Sequence, residues 1–116
     1  MLSDTDALDF GDIVLVPFPS TDQSGGKRRP AVVISAAAND NRPDVILMPI
    51  TSQVRAQAGA RDLMVDAWSA AGLLKPSAIK PVIATLERAL ILRRLGSLQA
   101  ADRDALRSAL AELIAG

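Results

Sequence analysis

Three apolar runs rich in Val and Ile, each bounded by turn-forming residues, stand out along the chain: DIVLVPF (Asp12–Phe18), AVVIS (31–35) and VILMPITSQ (45–53). Their length and β-branched content predict strands. Pro17 places the end of the first at an edge or a bend. RDLMVDA (61–67) predicts a fourth strand. Residues 68–98 mix helix-favouring Ala and Leu with Pro76 and Pro81, which forbid a long helix. Short strands are expected there around 77–80 and 89–95, with a turn or short helical segment between them. Near the end, Leu106, Leu110, Leu113 and Ile114 recur at i, i+4, i+7 and i+8. That spacing predicts an amphipathic helix opening near 97–100 and stopping at Gly116.

Polar segments separate these elements: a lead-in over 1–9, read as loose and solvated, then 19–30, 36–44 and 54–60. The 19–30 connection, PSTDQSGGKRRP, is long for a hairpin, where about 2–5 residues dominate. Long loops inside a small domain are disproportionately functional. Five to seven short strands followed by one helix predict a mainly β fold, a small, strongly curled barrel capped by the helix. At 116 residues the whole chain, 1–116, is expected to form one domain.

Composition narrows the chemistry. Apolar residues are 49% of the chain but aromatic ones only 3%, so the core must be built from Val, Leu, Ile and Ala. There is no Cys, His or Tyr. A disulfide framework, a thiolate nucleophile, a Cys-based zinc site and the usual imidazole base are therefore excluded. No metal site and no cofactor are expected. Catalysis here would have to use Arg, Lys, Asp, Glu, Ser or Thr. Thirteen cations balance thirteen anions, against a broad electrostatic footprint for nucleic acid. The opening MLSDTDALDF is acidic and lacks the n-region and apolar run of a signal peptide. No segment approaches the roughly 18–20 apolar residues of a membrane span. The expectation is a soluble, cytoplasmic protein.

Three polar islands interrupt the apolar pattern. In GGKRRPAVVIS (25–35), Lys27, Arg28 and Arg29 precede Pro30, which fixes its own φ and favours an extended Arg29. A guanidinium held at a loop–strand junction offers a fork suited to phosphate; a solvated basic turn that blocks edge pairing is the alternative. PITSQ (49–53) puts Thr51, Ser52 and Gln53 at a strand end, where hydroxyls either meet a ligand or satisfy backbone groups. Lys75, Ser77 and Lys80 form the third island. An Arg, a Thr and further cations at strand ends suit a phosphodiester. RNA cleavage needs neither metal nor histidine in principle, because the 2′-hydroxyl is an internal nucleophile. The protein then mainly orients it and neutralises the phosphorane. Arg29 would supply the charge and Thr51 a hydrogen bond.

The order of FGDIVLVPFPSTDQSGGKRRPAVVIS, PITSQ, GLLKPSAIKPVIATLE and RRLGSLQAADRDALRSAL resembles the MazF/PemK toxins of type II toxin–antitoxin systems, from about Phe10 to the C-terminus. The resemblance implies an SH3-like barrel with a C-terminal helix, a homodimer, and metal-independent cleavage of single-stranded mRNA to 2′,3′-cyclic phosphate and 5′-hydroxyl ends. It assigns the catalytic pair to Arg29 and Thr51 and sets Ser52 and Gln53 in the RNA groove. Lys27, Arg28, Lys75, Ser77 and Lys80 would hold the flanking RNA. A cognate antitoxin with an acidic, partly disordered segment is the implied partner. The chain departs from many members in its TDQSGGKR loop, where Asp22 and Gln23 are approximate counterparts of a Glu-Gln-Gly sequence. It also carries Lys75 and Ser77 where some members have an arginine and an aspartate. Two other readings remain: a non-enzymatic, protein-binding toxin on the same fold, like CcdB, and a family member that only binds nucleic acid.

Overall fold

Apolar runs that are nearly continuous, not alternating, belong to strands covered on both faces, and this is how the first three runs are used. The computed structural model describes residues 7–18, 27–36, 42–52 and 62–115. Seven strands precede one helix: β1 (Asp12–Phe18), β2 (Lys27–Val33), β3 (Asp44–Thr51), β4 (Leu63–Val65), β5 (Ser77–Ile79), β6 (Ala84–Glu87), β7 (Arg93–Ser97) and α1 (Ala100–Ala115). They form one antiparallel sheet in the order β4-β5-β3-β2-β1-β7. β3 has a divided second edge, pairing β6 along Asp44–Leu47 and β5 at Ile50 and Thr51.

The strands β1, β2 and β3 carry an apolar row on each face. Ile13, Val32, Met48 and Ile50 pack with Leu98 and with Leu106 of α1. Val14, Val16, Ala31, Val33, Val45 and Leu47 pack on the other side with Leu8 and Ile91. Leu8 is thus core, a correction to the solvated lead-in, and Asp9 donates its N–H to Asp12 Oδ2 at 2.9 Å.

The two ends of the sheet are drawn together by backbone contact. The turn after β4 is held by Asp102 in the first turn of α1, whose carboxylate accepts the N–H groups of Asp66 (3.1 Å) and Ala67 (2.9 Å). Beyond it, the Ala71–Gly72 backbone lies on Leu95–Gly96 of β7. A Cβ on Gly72 would strike the Leu95 carbonyl oxygen, and one on Gly96 would strike that of Ala71. β4 and β7 are opposite ends of the strand order, so this contact curls the sheet into a half-barrel, with α1 across it. No helix among the described residues is long and apolar enough to cross a membrane.

Several boundaries differ from the sequence expectation. β2 begins at Lys27, four residues early, so Lys27, Arg28, Arg29 and Pro30 stand on a strand instead of a loop. Residues 27–30 pair with β1 alone, because the β3 ladder starts at Ala31. Among the described residues one side of that segment is an edge, where a strand tolerates proline. Pro17 is the mirror case, since the β7 ladder on β1 ends at Leu15. The expected strand over 89–95 instead holds a 3-10 turn, Arg88–Leu90, closed by Ile91 N–H to the Arg88 carbonyl (3.0 Å). Pairing resumes at Arg93, opposite Leu15. The turn expected before it is β6, whose four residues are too few to show an alternating pattern against Pro81. β4 keeps only three residues of the seven expected.

Candidate nucleic-acid interface

Proline on both strands at one end of the β2–β3 ladder decides what happens there. Pro30 and Pro49 supply no N–H, and the last paired residues are Ala31 and Pro49. Continued two residues beyond that pair, the register sets Arg29 across from Thr51, on the face that carries Ala31 and Leu47. Both residues are half-buried. On β1, Arg29 stands opposite the fully buried Val16, so its backbone is anchored at the core's edge.

Strand alternation sends Arg28 to the other face, with Pro30 and Val32. There a groove of about 410 Å³ opens at the ends of β1, β2 and β3. Its floor is Leu15, Pro30 and Ile50, and Arg28, Arg29 and Ser52 border it at the strand ends. The Leu73–Lys75 segment and Ser77 form one wall; Arg93 and Leu95 of β7 form the other. Leu74 is 94% exposed on this lip, an apolar side chain with little of the protein to cover it.

The groove's charge is one-sided. Among the described residues, no Asp or Glu lines it. Elsewhere the described cations are matched: Arg42 lies 3.5 Å from Asp44, Arg94 3.3 Å from Asp12, and Arg107 3.0 Å from Asp104. Arg103 donates to the Leu98 carbonyl at 3.0 Å and Arg88 to that of Arg42 at 3.4 Å. Arg28, Arg29, Lys75 and Arg93 have no carboxylate or hydrogen-bond partner among the described residues, and all four border this groove. Four unmatched guanidinium and ammonium groups around a recess with no acid among its described lining residues favour an anion.

Ser77 is buried, and its hydroxyl donates to the Lys75 carbonyl at 2.8 Å, fixing the turn that carries Lys75. Lys80 lies outside the groove lining, its ammonium 3.8 Å from the Asp62 carboxylate. That separation is an ion pair without a hydrogen bond, and Asp62 Oδ2 is otherwise unpaired and buried. Gln53, Asp22 and Gln23 fall outside the described residues, as does the Lys27 side chain.

Arg93 is the groove residue that sequence reasoning passed over. The Arg93–Arg94 doublet was its only signal, and a doublet does not say which member faces where. Arg94 is held in a network in which Ser97 Oγ donates to Asp12 Oδ1 (2.6 Å) and Arg94 Nη2 meets both Ser97 Oγ (2.7 Å) and Asp12 Oδ1 (3.3 Å). A register shift between Ile13 and Val14 then brings Arg93 opposite Leu15, beside the groove.

A model of the PemK-like, MazF-like toxins of type II toxin–antitoxin systems matches residues 9–114. A search of curated proteins by sequence returns no match. Among solved structures, MazF from Deinococcus radiodurans is 26% identical with a TM-score of 0.71, over 95% of this chain and 98% of that one. A MazE–MazF structure from the same organism, also 26% identical, has a TM-score of 0.72 over 93% and 96%. An endoribonuclease in complex with its cognate antitoxin, from a mycobacterial species, shares the fold at 18% identity, with a TM-score of 0.70 over 94% of each chain.

Proposed function

Since the chain belongs to the PemK-like, MazF-like toxins of type II toxin–antitoxin systems, we propose that it is an endoribonuclease that cuts single-stranded mRNA without a metal ion. The observation that supports this reading most directly is the meeting of four cations, unmatched among the described residues, at one groove beside the Arg29–Thr51 register.

In the proposed reaction the 2′-oxygen attacks the adjacent phosphorus, and the bond from phosphorus to the 5′-oxygen breaks. The 2′-hydroxyl proton passes to water and the leaving 5′-oxygen takes up a proton. The products are a 2′,3′-cyclic phosphate and a 5′-hydroxyl. Arg29 would hold the charge that develops on the phosphorane oxygens, an interaction stronger in the transition state than in the ground state. Thr51 would hydrogen-bond the scissile phosphate or the 2′-oxygen and keep the attack in line. Lys27, Arg28 and Lys75 would bind flanking phosphates, with Ser52 and Gln53 along the strand's path. Lys80 would reach RNA only by leaving Asp62. Ser77 would act through the turn it fixes.

As a family member the chain is also proposed to form a homodimer and to pair with a cognate antitoxin. A groove bordered by Arg28, Arg29, Lys75 and Arg93 suits an acidic segment that folds on binding. The reading is tested with long single-stranded RNA in EDTA, beside Arg29→Ala, with end mapping of the products. Discrete cuts bearing 5′-hydroxyl ends, lost in the variant, are expected. Intact RNA with well-folded protein, across several sequences, would turn attention to a protein-directed toxin.

A further inference from the structure

We propose that Arg93, with Arg28 and Lys75, forms a phosphate subsite for a nucleotide flanking the cut, separate from the Arg29–Thr51 edge. Arg93 is then a positioning residue that touches the RNA backbone but not the reacting atoms. The inference rests on the ribonuclease reading above.

Three observations carry it. First, alternation and register divide the strand ends into two faces. Arg29 and Thr51 belong with Ala31 and Leu47, while Arg28, Leu15 and Arg93 belong to the groove side. Second, β1 stands between β7 and β2, so Arg93 and Arg28 enter from opposite sides, about 10 Å apart in the hydrogen-bonding direction. Lys75 closes the third side. Third, the neighbouring Arg94 is consumed by Asp12 and Ser97, whereas Arg93 is exposed and without a partner among the described residues. A planar guanidinium left unmatched beside two other cations is arranged to meet an anion. Arg29 borders the same groove, so a strand bound there is continuous with the catalytic edge, which favours an RNA backbone over a separate acidic peptide.

The test compares wild type, Arg93→Ala, Arg93→Lys and, as a charge-matched control outside the groove, Arg42→Ala. Each is assayed on an oligoribonucleotide containing a mapped cut. Binding is measured on the same oligonucleotide with a 2′-deoxy residue at the cut, which removes the nucleophile. Arg93→Ala is expected to raise KM roughly tenfold with kcat within about twofold. Its log–log salt dependence of binding should lose about 0.7 of slope, the share of one phosphate contact on a single strand. Arg93→Lys should keep that slope and recover part of the affinity, and Arg42→Ala should match wild type. Cleavage by wild type with unchanged KM and slope in Arg93→Ala overturns this inference and leaves the ribonuclease reading standing. A fall in kcat alone overturns it by making Arg93 catalytic. Weakened binding of an acidic peptide with RNA binding intact overturns it in favour of a protein-docking role. Wild-type protein that neither cuts nor binds RNA overturns both.

Discussion

Arg29 is placed by two residues that cannot hydrogen-bond through nitrogen. Pro30 extends the backbone before it, and Pro49 ends the ladder that would otherwise cover it. Its guanidinium is left at a half-buried rim instead of in open solvent. Arg29→Ala should lower kcat by about 10²–10³, the usual loss for one donor to a developing oxyanion. The melting temperature should hardly move, because Arg29 has no partner among the described residues to lose; a variant that unfolds would reassign it to structure. Asp102 is the opposite kind of charged residue. It is 5% exposed and spends both oxygens on backbone N–H groups of the turn after β4. Asp102→Ala should cost about 2–4 kcal/mol, since a charged acceptor is lost and two donors are left without it. Chemical denaturation measures this, and a cost below about 1 kcal/mol would show that water replaces the carboxylate readily.

Among the elements, β7 does most to join fold and site. Gly96 lets the Ala71–Gly72 backbone sit directly on the strand, and Gly72 itself has φ +94°, a conformation that other residues adopt only under strain. Gly96→Ala should therefore lower the melting temperature by several degrees. It should also weaken RNA binding, because the Leu73–Lys75 wall follows the displaced turn. Unchanged binding in that variant would uncouple the wall from the turn. How legible each element was follows from its length and its cover. β1, β3 and α1 were readable because seven or more residues repeat one environment. β6, with four residues, was not. β2 was misread at its start because cations look like loop. Strand geometry tolerates them where one edge is open and the side chains reach solvent.

For the whole molecule, zero net charge argued against a nucleic-acid surface, yet balance over a chain says nothing about balance over a groove. Four of the described acids, Asp12, Asp44, Asp62 and Asp104, sit with cations of their own, and the described cations left unmatched are gathered at one end of the half-barrel. Single-stranded RNA affinity should consequently fall steeply with salt. Four phosphate contacts at about 0.7 of slope each predict a loss of roughly 50-fold between about 50 and 200 mM. Titrations of the 2′-deoxy oligonucleotide check this, and a flat dependence would deny the cations a part in binding.

By itself the sequence determined the strand-rich fold with its C-terminal helix, and it singled out Arg29 and Thr51. Hydrophobic pattern, proline position and motif order are local properties, so a linear reading reaches them. Tertiary structure alone decided which cations were already spoken for. It assigned Arg94 to Asp12, eighty-two residues away, and Lys80 to Asp62, and it brought Arg93 beside Arg28 across β1. Pairing of charges depends on register and on the curl of the sheet, and both arise only when distant strands meet.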